Sequence, residues 1–303
     1  MAQRIAAFAA PLLLSSAIAL NNGLARIPDR GFNTWNVFKC GWTQETIYST
    51  ADAFVSTGLR DAGYLYVNLD GCELAECPAG MGEAACHNFT RDAGGVLHDV
   101  DTARLPLGAK AACDYIHSKG LLCGGYSDAA YTTCQNRPGS LFYEVQDARM
   151  WADIGLDLFK VDNCGAVAPG WEKPERRYPP LRDALNATGR PILYSLCVWG
   201  TDSPWLWGPD VGNTWRIWDD SDDCDHSEGF GNGCWKHILG AADVAVGLGK
   251  YAGPGGWNDV SAGFLELDVS CSPPPPPFLP LTSPAPHPTA RHPNGRQRRD
   301  DVH

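Results

Sequence analysis

The sequence predicts an α/β fold built of parallel β/α units, and three observations carry that prediction. Short apolar runs alternate with longer segments whose apolar residues recur at helical spacing. About seven such runs can be counted, and five carboxylates, Asp70, Asp128, Asp162, Asp220 and Asp259, fall at or just beyond their ends. An open doubly wound sheet shares the alternation. A (β/α)8 TIM barrel also explains the carboxylates, because it gathers the C-terminal strand ends on one face and builds its site there. With seven units rather than eight, the expected barrel is incomplete.

Each element has its own signal. Residues 31–35 read as the first strand. Thr43 is a candidate N-cap for a helix over 45–59, in which Ile47, Ala51, Phe54 and Val55 recur at helical spacing. Residues 65–69 form a short apolar strand ending at Asp70. A helix over 107–119 carries Ala109, Ala112, Cys113 and Ile116 on one face, with Gly120 as its stop. The strand over 121–126 runs into Ser127 and Asp128. A helix over 147–154 precedes the strand over 156–161, which ends at Asp162. Residues 181–185 lie in a helix closed by Gly189, followed by strands over 192–196 and 214–218. The last pattern is a helix over 237–246 and a short strand from Tyr251 into Gly255 and Gly256.

The ends of the chain differ from this body. Residues 1–19 read as a signal peptide, with Arg4, an apolar run and the small residues of Ala17-Ile18-Ala19. The alternative is a buried N-terminal helix. No later stretch is long and apolar enough to span a bilayer. Two sequons, at Asn88 and Asn186, and 12 cysteines fit a secretory route, to the exterior or to a vacuole or lysosome. Residues 272–303 hold 10 of the 23 prolines and none of the 11 tryptophans, the composition of a disordered tail. That leaves 20–271 as the catalytic barrel. With 24 Lys and Arg against 35 Asp and Glu, a net charge of -11, the chain has no basic face for nucleic acid or anionic membrane. No zinc-ligand spacing and no phosphate-binding glycine loop is present, so neither a metal nor another cofactor is expected.

Two segments could carry chemistry. In Leu158-Phe159-Lys160-Val161-Asp162-Asn163-Cys164, a carboxylate at the mouth of a buried strand lies two residues after a lysine that can keep it ionised. That suits a nucleophile or an electrostatic stabiliser; a helix-capping aspartate fits the same position. In Thr214-Trp215-Arg216-Ile217-Trp218-Asp219-Asp220, with Asp222 and Asp223 beyond, one carboxylate could face Asp162. Two facing carboxylates among tryptophans are glycosidase machinery, while an acidic run is also an ordinary solvated loop or a calcium site.

Several motifs resemble one family in order along residues 20–259. They are Gly31-Phe32-Asn33-Thr34-Trp35-Asn36, Leu105-Pro106-Leu107-Gly108, Gly125-Tyr126-Ser127-Asp128, Lys160-Val161-Asp162-Asn163-Cys164, Tyr194-Ser195-Leu196-Cys197, Trp215-Arg216 and Gly255-Gly256-Trp257-Asn258-Asp259. They are similar to those of the melibiase-type α-galactosidases, glycoside hydrolase family 27, with plant and algal members nearest. The resemblance implies a (β/α)8 barrel followed by a small antiparallel β domain; the family pattern here stops before the last barrel strand. It implies retaining hydrolysis of terminal α-D-galactosyl residues on oligosaccharides or glycoconjugates, without a cofactor. Asp162 falls on the nucleophile and Asp220 on the acid/base, with Asp219 a rival if the register slips by one. Trp35, Asp70, Tyr126, Lys160 and Arg216 fall on sugar-contacting positions, and Cys40 with Cys72 and Cys134 with Cys164 on disulfides. Cys77 with Cys86 and Cys224 with Cys234 are pairings suggested only by closeness in sequence.

Three positions depart from the family. Gly71 stands where a second aspartate is usual, Val198 where a glutamate helps recognise the 2-hydroxyl, and Val260-Ser261-Ala262 where Pro-Asp-Met is usual. Read alone, they predict weak activity on α-galactosides and a different or broader sugar preference. They also leave room for a second class of function, a non-catalytic sugar-binding remnant or truncated gene product.

Overall fold

Seven parallel strands stand side by side in chain order, in a computed structural model that describes residues 22–89, 91–97, 100–220 and 232–260, with the backbone alone for 232–236. They are β1 (Gly31–Asn33), β2 (Tyr66–Asn68), β3 (Leu122–Asp128), β4 (Leu158–Asp162), β5 (Leu193–Cys197), β6 (Thr214–Arg216) and β7 (Trp257–Asp259). Every neighbouring pair is parallel. The helices are α1 (Thr34–Phe38), α2 (Gln44–Ser56), α3 (Glu83–Phe89), α4 (Gly108–Ser118), α5 (Glu144–Ile154), α6 (Pro174–Ala187) and α7 (Asn232–Ala245). This is seven-eighths of a TIM barrel, curled into an arc. The expected signal segment, the tail after 271 and Ser261 lie outside the described residues. Among those residues, no helix is long and apolar enough to cross a membrane.

The period of two in β4 and β5 decides which side chains face the site. Phe159 and Val161, with Tyr194 and Leu196, join the apolar core that packs the helices. The alternate residues take the inner face. Leu158 and Leu193 close its floor against Leu24, Ala25 and Tyr66, while Lys160, Asp162, Ser195 and Cys197 stand above them. Glycine is required where β1 meets β2: a Cβ on Gly31 would lie 2.1 Å from the Tyr66 carbonyl oxygen.

Local chemistry sets the element ends. Thr43 caps α2 in a reciprocal box with Thr46. Gly155, with φ of 100°, terminates α5. The first strand stops at Asn33, short of the expected Trp35, because the Asn33 side chain accepts the Trp35 N–H at 2.9 Å and starts α1. The last strand is also corrected. Residues 249–251 form a 3-10 turn and Gly253 bridges Gly256, so pairing begins only at Trp257. The proline and glycines over 253–256 make the turn that precedes the strand. At the floor, Ala25 accepts from Gly255 N–H and Trp257 Nε1, each at 2.8 Å, tying the segment before β1 to the start of β7.

Among the described residues, four disulfides pair Cys40 with Cys72, Cys77 with Cys86, Cys113 with Cys123, and Cys134 with Cys164. The third, which ties α4 to β3, carries no sequence signal: Cys113 reads as one more apolar residue on its helix face. Cys224 and the side chain of Cys234 lie outside the described residues. Cys197 is a buried free thiol.

Candidate active site

The inner faces of β2 to β6 converge on one polar cluster. Asp162, the last residue of β4, is level with Asp128 on β3 and Cys197 on β5. It is only 7% exposed. Its Oδ2 accepts from the Tyr126 hydroxyl at 3.1 Å and its Oδ1 from the Asn163 N–H at 2.9 Å. Burial pushes the Asp162 carboxyl above the ordinary aspartate range, against the pull of Lys160 and the Asn163 N–H. Asp128 beside it is raised further, by burial and by Asp162, although it accepts the Cys164 N–H at 3.0 Å. Two adjacent buried aspartates cannot both ionise easily, so the pair together is pushed toward keeping a proton.

Support comes from behind. Arg177 on α6 donates to the Ala129 carbonyl at 2.8 Å and to Asn163 Oδ1, holding the loops that follow β3 and β4. The Tyr178 hydroxyl donates to the Asp162 carbonyl at 2.7 Å. Neither residue stood out in the sequence, since both read as ordinary members of a helix.

Lys160 reaches across to Asp70, Nζ to Oδ2 2.5 Å, and both are buried. Asn33 Nδ2 donates to the same oxygen at 2.5 Å, and the Asp70 N–H donates to Thr34 Oγ1 at 2.9 Å. Burial pulls the Lys160 ammonium down, but Asp70, Cys197 and Asp162 together outweigh it and the group ends above the usual lysine value. A cation so placed serves charge stabilisation rather than proton transfer. Trp35 is half-buried at the start of α1, with the Lys39 ammonium 5.0 Å from its ring centre.

The other carboxylate sits on less structure. Arg216 ends β6, level with Asp259 on β7, and its Nε lies 3.8 Å from Asp259 Oδ2. Arg216 also donates to Asp220 Oδ1, four residues on, whose side chain is 52% exposed. Partial burial raises the Asp220 carboxyl, but Arg216 outweighs it, helped by Lys160 and Lys39, and the net shift is downward. Lys160 and Cys197 each interact electrostatically with both Asp162 and Asp220. Among the described residues Arg216 pairs with Asp220 and Asp259 rather than with Asp219, and Asp222 and Asp223 lie outside the described residues.

Two of the departures look different in place. Gly71 does not leave open room: it has φ of 76°, and the Gln135 side chain fills the volume above it. Val198 is fully buried in the apolar core with Leu196, Trp215 and Ile217, so it is not an apolar wall open to a sugar. A third feature lies two residues on from Gly71, where Glu73 stands in place of the family's usual tryptophan. Glu73, 3% exposed, has an Oε2 without a hydrogen-bond partner, and burial pushes its carboxyl up to about 8. Among the described residues, Asp128, Cys134 and Cys164 bring metal-ligating atoms within 4.8 Å of one another. Both sulfurs are spent in the disulfide, which leaves a single carboxylate and no metal site.

Comparison with known proteins agrees with this geometry. The family model for alpha galactosidase A matches residues 33–265. Alpha-galactosidase 3 of Arabidopsis thaliana is 47% identical over 242 residues, covering 80% of this chain and 49% of that protein. The alpha-galactosidase of Cyamopsis tetragonoloba is 42% identical over 239 residues, 78% of this chain and 52% of that one. The alfa-galactosidase of Saccharomyces cerevisiae solved with raffinose superposes with a TM-score of 0.65 at 34% identity, covering 79% of this chain and 53% of that one. The chain spans about half the length of the curated relatives it matches.

Proposed function

Because the chain belongs to the alpha galactosidase A family, we propose that it hydrolyses terminal α-galactosides with retention of configuration, Asp162 acting as nucleophile and Asp220 as acid/base. The observation that carries the reading is the inner face of β4. There a buried, doubly hydrogen-bonded carboxylate stands above a buried lysine, at the end of a strand packed on both sides. Asp162 Oδ attacks the anomeric carbon and the glycosidic C–O bond breaks, while Asp220 gives its proton to the departing oxygen. Water then attacks the glycosyl-enzyme ester, Asp220 takes the water's proton, and Asp162 leaves as carboxylate. Lys160 and Arg216 balance the charge around the two aspartates. Asp70, Tyr126 and Trp35 line the sugar's place, and the family's raffinose complex makes raffinose the natural test substrate. The enzyme travels the secretory route, outward or to a vacuole.

The test is hydrolysis of raffinose and of an aryl α-galactoside by the full chain, with the first-formed anomer followed by NMR. The α-anomer of galactose is expected first. A β-anomer first, or binding of galactose without turnover, overturns the reading.

A further inference from the structure

One polar side chain at the mouth belongs to none of the roles above. A Cβ built on Gly71 would lie 2.6 Å from Gln135 Oε1, so the Gln135 amide occupies the volume a side chain at position 71 would take. That oxygen is shut off from solvent and has no hydrogen-bond partner, an arrangement that costs free energy unless something else repays it. The backbone beneath is fixed. Cys134 is tied to Cys164, and the Gln135 carbonyl accepts from Arg137 at 2.9 Å. The same cysteine's sulfur lies 3.2 Å from the Tyr126 hydroxyl and 3.5 Å from Asp162 Oδ2. Gln135 thus packs its amide over the Asp70–Gly71 turn and directly follows the cysteine whose sulfur touches the carboxylate at the end of β4. The residue is only half-buried, and rotation of its terminal amide presents either a donor or an acceptor outward.

We propose that Gln135 determines sugar specificity at this site: its amide hydrogen-bonds the sugar hydroxyl nearest Asp70, in the place of a side chain at position 71. The inference rests on the galactoside reading above. An amide meets the hydroxyl without charge and in either hydrogen-bonding sense, whereas a carboxylate only accepts. The site should therefore discriminate less sharply between epimers at that carbon.

The test compares the full chain with Gln135→Ala and Gln135→Met on an aryl α-galactoside and on its 4-deoxy and 6-deoxy analogues. Methionine keeps the volume over Gly71 and removes the amide. For both variants kcat/KM on the parent is expected to fall about threefold to tenfold, the loss of one neutral hydrogen bond. On the analogue that lacks the contacted hydroxyl it should not change. Gly71→Asp should recover activity only in the Gln135→Ala background, where its side chain has room. An equal fall on all three substrates, or no fall in Gln135→Met, overturns the proposal and leaves the galactoside reading intact. A chain that neither turns over nor binds any of the three sugars overturns both.

Discussion

The two catalytic aspartates proposed here are held in opposite ways. Asp162 closes a five-residue strand between two others, is buried, and has a hydrogen bond on each oxygen. Asp220 lies beyond a three-residue strand, is half exposed, and is anchored through Arg216. A nucleophile must sit within bonding reach of one carbon, so rigid placement is what it needs. An acid/base must change protonation state between the two half-reactions, and a carboxylate on a loose segment can exchange partners. The shifts run against the roles at rest: burial favours protonated Asp162, and Arg216 favours ionised Asp220. Arg216 therefore works against the proton that Asp220 must carry in the first half-reaction.

Three substitutions probe this contrast. The largest effect belongs to the rigid side: Asp162→Asn should lower kcat on an aryl α-galactoside by about 10⁴-fold or more while the melting curve shows an intact fold. Retained turnover would end the assignment. Asp220→Asn should cost about 10²–10⁴-fold on raffinose and much less on an aryl galactoside, whose leaving group needs little protonation. Equal losses in kcat/KM on both, which reads the first half-reaction alone, would show that Asp220 is not the proton donor. The smallest effect is on stability and concerns Glu73, buried with one carboxyl oxygen lacking a hydrogen-bond partner. Burial raises Glu73 to about 8, against roughly 4.3 in an unfolded chain. Between those values the folded protein holds a proton that the unfolded chain releases. Its contribution is therefore intact below about pH 4 and is lost as pH rises toward 8. Glu73→Gln, neutral throughout, should flatten the fall in Tm between pH 5 and 8 and stabilise by on the order of 3 kcal/mol at pH 7. An unchanged slope would mean that the packed wall admits water to Glu73.

Much of this site was legible along the chain because a strand's period of two is legible. Lys160 and Asp162 alternate with Phe159 and Val161, and the structure sorts them to the inner and outer faces in that order. The opening strand and the last one were misjudged where side-chain capping at Asn33 and a glycine turn override propensity. The departures were harder. A sequence shows that Gly71 lacks a carboxylate, but not that Gln135, distant in the chain, fills the space. Nor can it say that Val198 turns into the core. Those facts depend on which loops meet, and local pattern carries no information about that.

The disulfides share one property that geometry alone does not bring out. Their partners are Cys40 and Cys72, Cys77 and Cys86, Cys113 and Cys123, Cys134 and Cys164, so each bridge closes before the next begins. Eight cysteines could pair in on the order of a hundred ways. A chain delivered N-terminus first into an oxidising compartment presents each cysteine with its correct partner as the next one to emerge. Among the described residues no bridge encloses another, so none of these four has to be broken to let a later one form. Cys197 arrives after all four are complete and is sealed into the barrel wall beside Asp162, out of reach of further exchange. The order of the letters thus serves as a schedule, and oxidation that follows synthesis needs no reshuffling to reach these four pairings.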